Sequence, residues 1–215
     1  YAPSTTVVHT DSISFAYNDG VNPQVAARDV QGTGVSPASL TITDADPFDF
    51  GTVATSSFST HTFTVNNGGG FTASAIAEVG LAAPFTFIGG SFPGTGGTCT
   101  TTLAPATNCT LAVQFTPVAT GLATDTMRLD YNDGATVQNV TNAVQGNGSS
   151  PALISISEAE PYDYGNVTVG VTVSHGFTLS NTGGVPATGM GGAGIVTPFN
   201  FVGVSYPGIA GTCGG

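Results

Sequence analysis

The chain repeats itself with a period of 114 residues. The motif QGTG at 31–34 returns as QGNG at 145–148. Residues 1–101 align with residues 115–215 without a gap, and about 40 of those 101 positions are identical. A period this long is that of a whole domain rather than of a solenoid turn. We therefore expect three pieces, which are the C-terminal part of one repeat (1–34), a complete repeat (35–148) and the N-terminal part of the next (149–215).

Alternating polar and apolar residues predict short β-strands within each repeat. In the segment THTFTV at 60–65, Phe63 and Val65 would share one face of a strand, because successive side chains point to opposite faces. The Asp-Gly pair at 133–134 follows such a run and predicts a hairpin turn. Seven or eight strands per repeat indicate an all-β fold of tandem immunoglobulin-like β-sandwich domains.

Composition excludes several classes of partner and of chemistry. Only 7% of the residues are charged, the net charge is −11, and the basic residues are Arg28 and Arg128 alone. A protein that binds nucleic acid needs basic side chains to displace phosphate counterions, so we expect no nucleic-acid partner. Without lysine the chain has no P-loop and no Schiff-base nucleophile. We also expect no membrane insertion, because no run of 18 apolar residues occurs.

The three cysteines follow the repeat. Cys99 and Cys109 lie in the complete repeat, and Cys213 occupies the position of Cys99 in the next one. We predict a Cys99–Cys109 disulfide that closes a loop of about ten residues, with two free buried thiols as the alternative. A disulfide indicates an oxidising compartment, so we expect the protein outside the cell or at its surface.

The order of these motifs resembles a known bacterial family, the choice-of-anchor D repeat proteins. Their modules are similar to the immunoglobulin-like domains of the abnormal-spindle and hydin group. The resemblance implies long, secreted or surface-anchored repeat proteins of Gram-negative bacteria, and it brings no catalytic residues. The segments that carry it are PASLTI (37–42), PFDFGTV (47–53), FTVNNGG (63–69), PFTF (84–87), FPGTGGTC (92–99), VQFTP (113–117) and QGNG (145–148).

Acidic residues keep their charge at three positions of the repeat, and these are candidates for a calcium site near the domain junction. Calcium takes six to eight oxygen ligands, several of them carboxylates, although this spacing is not that of an EF-hand. The alternative is a solvated acidic edge that keeps neighbouring sheets from pairing. We expect no other cofactor. The candidate ligands are Asp44, Asp46, Asp49, Glu158, Glu160 and Asp163.

A histidine also recurs, as His61 and His175. It is either a ligand or a strand residue near the domain surface. The sequence has no Gly-x-Ser-x-Gly elbow and no His-Glu-x-x-His motif, so we do not expect an enzyme.

These patterns favour a structural role, as a segment of an extracellular fibre, stalk or adhesin shaft. The expected partners are neighbouring repeats of the same chain or identical chains in a fibre. The parts at 1–34 and 149–215 would belong to a longer covalent array, or neighbouring chains would complete each other's domains by strand addition. The alternative function is a ligand- or carbohydrate-binding adhesion module. Tyr162, Tyr164 and Tyr206, which replace Phe48, Phe50 and Phe92, would then stack on surface glycans.

Overall fold

The computed structural model describes residues 1–214, and the regular structure in them is β-strand. The strands are β1 (Val8–Asn18), β2 (Pro23–Thr33), β3 (Leu40–Ile42), β4 (Phe48–Ala54), β5 (Ser59–Asn67), β6 (Ala73–Glu78), β7 (Phe85–Phe87), β8 (Thr102–Leu103), β9 (Asn108–Phe115), β10 (Gly121–Asn132), β11 (Val137–Ser149), β12 (Ile154–Ile156) and β13 (Leu179–Asn181).

The complete repeat is a sandwich of two sheets, as predicted. One sheet has the order β3-β5-β9-β7 and the other the order β4-β11-β10-β6-β8. The two sheets contain nine strands, whereas the sequence predicted seven or eight. The difference lies in short strands such as β7 and β8, which have only three and two residues. Strands β10 and β6 pair antiparallel, with a register shift between Asp130 and Asn132.

The core of the sandwich follows the alternation seen in the sequence. Phe63 and Val65 on β5 are fully buried, and so are Leu111 on β9 and Met127 and Leu129 on β10. Because a strand turns every second side chain to the same face, these residues fill the space between the sheets while threonines face outward. The predicted face of β5 is confirmed.

Residues 1–34 form a β-hairpin. Strands β1 and β2 pair antiparallel over their whole length, from Val8 opposite Thr33 to Asn18 opposite Pro23. The hairpin corresponds to β10 and β11 of the complete repeat, at the 114-residue spacing.

Residues 149–214 are less regular. They carry two short strands, β12 and β13, which pair antiparallel and correspond to β3 and the end of β5. The segments at 162–168 and 187–192, which correspond to β4 and β6, contain no strand.

The chain divides into two compact units. The first holds the hairpin and most of the sandwich, and the second holds the part that follows the complete repeat together with two of the sandwich's own segments. The first unit comprises Tyr1–Asp49, Thr60–Gln114 and Thr124–Gln145, and the second comprises Phe50–Ser59, Phe115–Ala123 and Gly146–Gly215. The repeat boundaries after 34 and 148 stay a prediction.

Among the residues that the structure describes, there is no helix with the length and apolar character of a membrane span.

Candidate functional site

The recurring histidine lies in a cluster that we name the histidine clasp, made of Asp44, Phe48, His61 and Phe63. His61 Nε2 lies 2.7 Å from Asp44 Oδ1, and the Thr64 N–H donates to Asp44 Oδ2 over 2.8 Å. The His61 ring stacks on Phe48 with centroids 3.8 Å apart and meets Phe63 edge-on. Since Asp44 lies between β3 and β4 while His61 is on β5, the clasp fastens that loop to the strand.

The same clasp is present in the next repeat, with longer side chains. His175 stacks on Tyr162 with centroids 4.1 Å apart, but its Nε2 lies 3.7 Å from Glu158 Oε1. The Thr178 N–H donates to the same carboxylate over 3.1 Å. This hydrogen bond holds the pKa of Glu158 below its ordinary value, and the charge of His175 adds a smaller effect in the same direction.

The clasp has the chemistry of a structural contact. One imidazole nitrogen and one carboxylate are engaged with each other, and the carboxylate also accepts a backbone N–H. Within residues 1–214, no three His, Cys, Asp or Glu side chains come close enough to hold a metal ion. The structure places His61 on β5 with its side chain partly exposed, and the ligand interpretation stays a prediction.

The acidic calcium candidates receive separate partners. Asp44 belongs to the histidine clasp. Asp46 accepts the Ala143 N–H over 2.9 Å, and Asp49 accepts a hydrogen bond from the Gln145 side-chain amide over 3.1 Å. In the next repeat Asp163 accepts the Gly165 N–H over 2.7 Å, while Glu160 is exposed. The Asp46 and Asp49 bonds tie the segment around β4 to β11, whereas the Asp163 bond is local, and the carboxylates have separate partners. Calcium binding stays a prediction.

Sequence reasoning missed Asn67, whose side chain uses all of its donor and acceptor positions. It is fully buried at the end of β5, and its Oδ1 accepts the Ser39 and Gly69 N–H groups over 3.1 and 3.0 Å. Its Nδ2 donates to the carbonyls of Phe71 and Leu103 over 2.9 and 3.0 Å. The signal was present, because Asn181 recurs at this position and bonds Leu153, Gly183 and Val185 in the same way.

The Asn-Asp-Gly turn between β10 and β11 is held by Asp133. Its Oδ1 accepts the Ala135 and Thr136 N–H groups, each over 2.7 Å. The Thr136 bond, followed by the Ala135 bond, holds the pKa of the Asp133 carboxyl below its ordinary value. Asp19 makes the equivalent bonds in the β1–β2 turn, and its pKa is lowered in the same way.

The link from the complete repeat to the next one is held on both sides. The Thr55 N–H donates to the Ser149 carbonyl over 2.8 Å, and the Gly184 N–H donates to the carbonyl of the adjacent Ser150 over 3.0 Å. A Cβ at Gly148 would collide with the Ala119 carbonyl oxygen.

The link at 34–37 is built alike. The Gly34 N–H donates to the Val7 carbonyl over 3.0 Å, and the Gly70 N–H donates to Ser36 Oγ over 2.9 Å. A Cβ at Gly34 would collide with the Thr5 carbonyl oxygen. The second glycine of each QGxG motif is therefore required by close approach of the backbone.

The predicted disulfide is present. Cys99 and Cys109 are bonded, with Cα atoms 4.8 Å apart, and both are buried. The neighbouring Thr98 and Thr110 also bond each other through backbone and hydroxyl groups, so the loop that precedes β8 is fastened to β9 at two adjacent positions.

The middle of the chain has recognisable relatives. Residues 41–147 match the model of the HYDIN/CFA65/VesB-like Ig-like domain. The chain contains an immunoglobulin-like domain of the HYDIN/VesB type. No curated protein sequence matches the chain.

Among solved structures, the VesB protease of Vibrio cholerae is similar at 16% identity and a TM-score of 0.41, with 52% of this chain and 32% of VesB covered. The chain thus spans about a third of the length of VesB. PapD-like domain 7 of human CEP192 is similar at 11% identity and a TM-score of 0.39, with 54% of this chain and 88% of that domain covered. A Porphyromonas gingivalis W83 protein is similar at 10% identity and a TM-score of 0.38, with 68% of each chain covered.

Proposed function

We propose that this HYDIN/VesB-type domain and its neighbouring repeats form a structural segment of a secreted or cell-surface bacterial protein. The segment acts as a spacer in an extracellular fibre, stalk or adhesin shaft, and it performs no catalysis. The finer relationship, to choice-of-anchor D repeat proteins, is part of the same proposal.

The link at 148–151 carries this proposal. Ser149 is bonded to the complete repeat and Ser150 to the next one, so no free residue separates the two attachments. A flexible linker needs several unattached residues to let its domains reorient. A link this short suits successive domains of a shaft better than modules on a long tether.

Chemistry supports the extracellular location. The Cys99–Cys109 disulfide persists in an oxidising compartment and would be reduced in most bacterial cytoplasms. A net charge of −11 with very few basic residues keeps the surface from binding nucleic acid or anionic lipid.

The location is tested with antibodies raised against the 215-residue chain. Immunogold labelling of intact source cells should decorate their outer surface or fibres that leave it, and labelling should disappear when surface proteins are shaved with protease. Gold confined to the cytoplasm of permeabilised cells would contradict the proposal.

The alternative, a glycan-binding adhesion module, receives support from one observation. Tyr162 is 37% exposed and its ring is stacked on His175, which would hold it in place for stacking on a sugar. By contrast Tyr164 is half-buried, and burial raises the pKa of the Tyr206 hydroxyl. A glycan array probed with the chain and with Tyr162→Ala separates the two functions. Saturable binding that is lost in the variant would favour the alternative, and absence of binding would favour the spacer.

A further inference from the structure

The chain offers few bonds to trypsin-class proteases, by which we mean those that cut after arginine or lysine. Its 215 residues contain no lysine, and Arg28 and Arg128 are the two arginines. A protease of this class binds the basic side chain in a pocket that carries a carboxylate, and that pocket selects the bond that is cut. Resistance to the class therefore depends on where the fold places two residues.

Arg128 lies on β10, a strand in the interior of its sheet. β10 is hydrogen-bonded to β11 on one side and to β6 on the other. The Arg128 carbonyl accepts the Val79 N–H over 2.9 Å, and the adjacent Leu129 lies opposite Glu78. The side chains that flank Arg128, those of Met127 and Leu129, are fully buried. The backbone around this arginine is therefore held by the strands beside it and by the core beneath it.

The side chain of Arg128 is accessible, so it is the backbone that the fold withholds. The side chain is 47% exposed, and its Nε donates to Asp130 Oδ1 over 2.6 Å. An extended peptide that binds in a cleft does so through main-chain hydrogen bonds, and β10 already makes these bonds to both neighbouring strands. Binding to a protease would require β10 to leave the sheet, which would expose the buried residues on its inner face.

We propose that the complete repeat resists trypsin-class proteases, because cleavage after Arg128 requires the sandwich to unfold. Loops are the usual sites at which proteases nick a folded protein, and the loops of this repeat contain neither arginine nor lysine. A secreted spacer with this property keeps its length among proteases that cut other proteins at basic loop residues. The inference goes beyond the proposed function and rests on it only for its biological setting.

The test uses the full 215-residue chain with Arg28→Gln, in which Arg128 is the remaining site. The folded chain is incubated with trypsin at increasing urea, and intact mass spectrometry follows the appearance of fragments 1–128 and 129–215. A small peptide substrate measures the activity of trypsin at each urea concentration. Because proteolysis through an open state follows the population of that state, the corrected cleavage rate should rise with the unfolded fraction measured by circular dichroism. Rapid cleavage without urea, or a rate that does not follow unfolding, overturns the proposal.

A matched variant shows whether the position of the arginine gives the protection. Thr120→Arg, in the same Arg28→Gln background, places an arginine in the exposed loop between β9 and β10. The initial rate of cleavage after residue 120 should exceed that after Arg128 by at least about a hundredfold, because a loop needs only local opening. Comparable rates at the two positions would mean that β10 opens as readily as a loop, which would contradict the proposal.

The protease experiment and the location experiment fail independently. Fast cleavage after Arg128 together with surface labelling of cells would overturn the resistance and leave the spacer function standing. Slow cleavage together with gold confined to the cytoplasm would do the opposite. Surface shaving in the location experiment uses a protease of broad specificity, which does not need a basic residue.

Discussion

At the scale of single residues, buried hydrogen bonds fix the positions of loops in this chain, which has few charged residues. Asn67 offers two acceptor and two donor sites, and all four are used by backbone groups from the three separate segments that include Ser39, Phe71 and Leu103. A buried backbone group that loses its partner is costly, so this one side chain holds three loops in register.

Asn67→Ala should lower the free energy of unfolding of the complete repeat by about 3 kcal/mol, because it leaves several buried backbone groups unbonded. Urea unfolding followed by circular dichroism measures this. Asn66→Ala, one residue earlier and on the opposite face of β5, is the control and should change stability by less than about 0.5 kcal/mol. Equal effects of the two variants would mean that the Asn67 bonds contribute little.

Asp133 should make stability depend on pH. Its pKa is lowered in the folded protein, so the unfolded chain takes up the proton at higher pH. The contribution is therefore present above the ordinary aspartate pKa of about 3.9 and is lost as the pH falls through the lower folded value. Asp133→Asn keeps an acceptor oxygen for the turn but removes this titration.

The urea midpoint, measured between about pH 7 and pH 3, should fall less steeply for Asp133→Asn than for the unaltered chain. Parallel pH profiles for the two proteins would show that the turn does not distinguish a carboxylate from an amide.

At the scale of elements, alternation predicted the sandwich strands while the short ones escaped notice. β5, β9 and β10 are long enough to show a clear two-residue period, and their buried residues agree with it. β7 and β8 are too short for any period to be visible. They become strands because neighbouring strands offer them hydrogen bonds.

The disulfide is one of two adjacent attachments of the loop before β8 to β9. Reduction should lower the free energy of unfolding by about 2–3 kcal/mol, as expected for a closed loop of about ten residues. Thermal unfolding with and without reductant measures this in a Cys213→Ser background, which prevents thiol exchange. The variant carrying Cys99→Ala and Cys109→Ala should match the reduced protein and should not respond to reductant. A response in that variant would place the effect elsewhere.

At the scale of the whole molecule, the QGxG glycines join one repeat to the next. Gly148→Ala should destabilise the second link by about 1–3 kcal/mol, because the added methyl group would have to displace the Ala119 backbone. Faster amide exchange at Thr55 and Gly184, whose N–H groups are bonded to the link, would report the loosening directly.

Gly68→Ala is the matched control for the link. Its added Cβ would have its nearest neighbours at 3.9 and 4.0 Å, so the substitution should leave both exchange rates unchanged. Unaltered exchange in Gly148→Ala as well would contradict a tight link.

The sequence alone determined the period, the all-β class, the disulfide pair and the buried face of β5, because each is a local or periodic pattern of residue types. Only the tertiary structure decided the partners of the acids and amides. Asp44 and Asp46 are two residues apart, yet one bonds β5 and the other accepts from Ala143 on β11. Hydrogen-bond partners between distant segments depend on which strands lie side by side, and a linear pattern of residues carries no record of that neighbourhood.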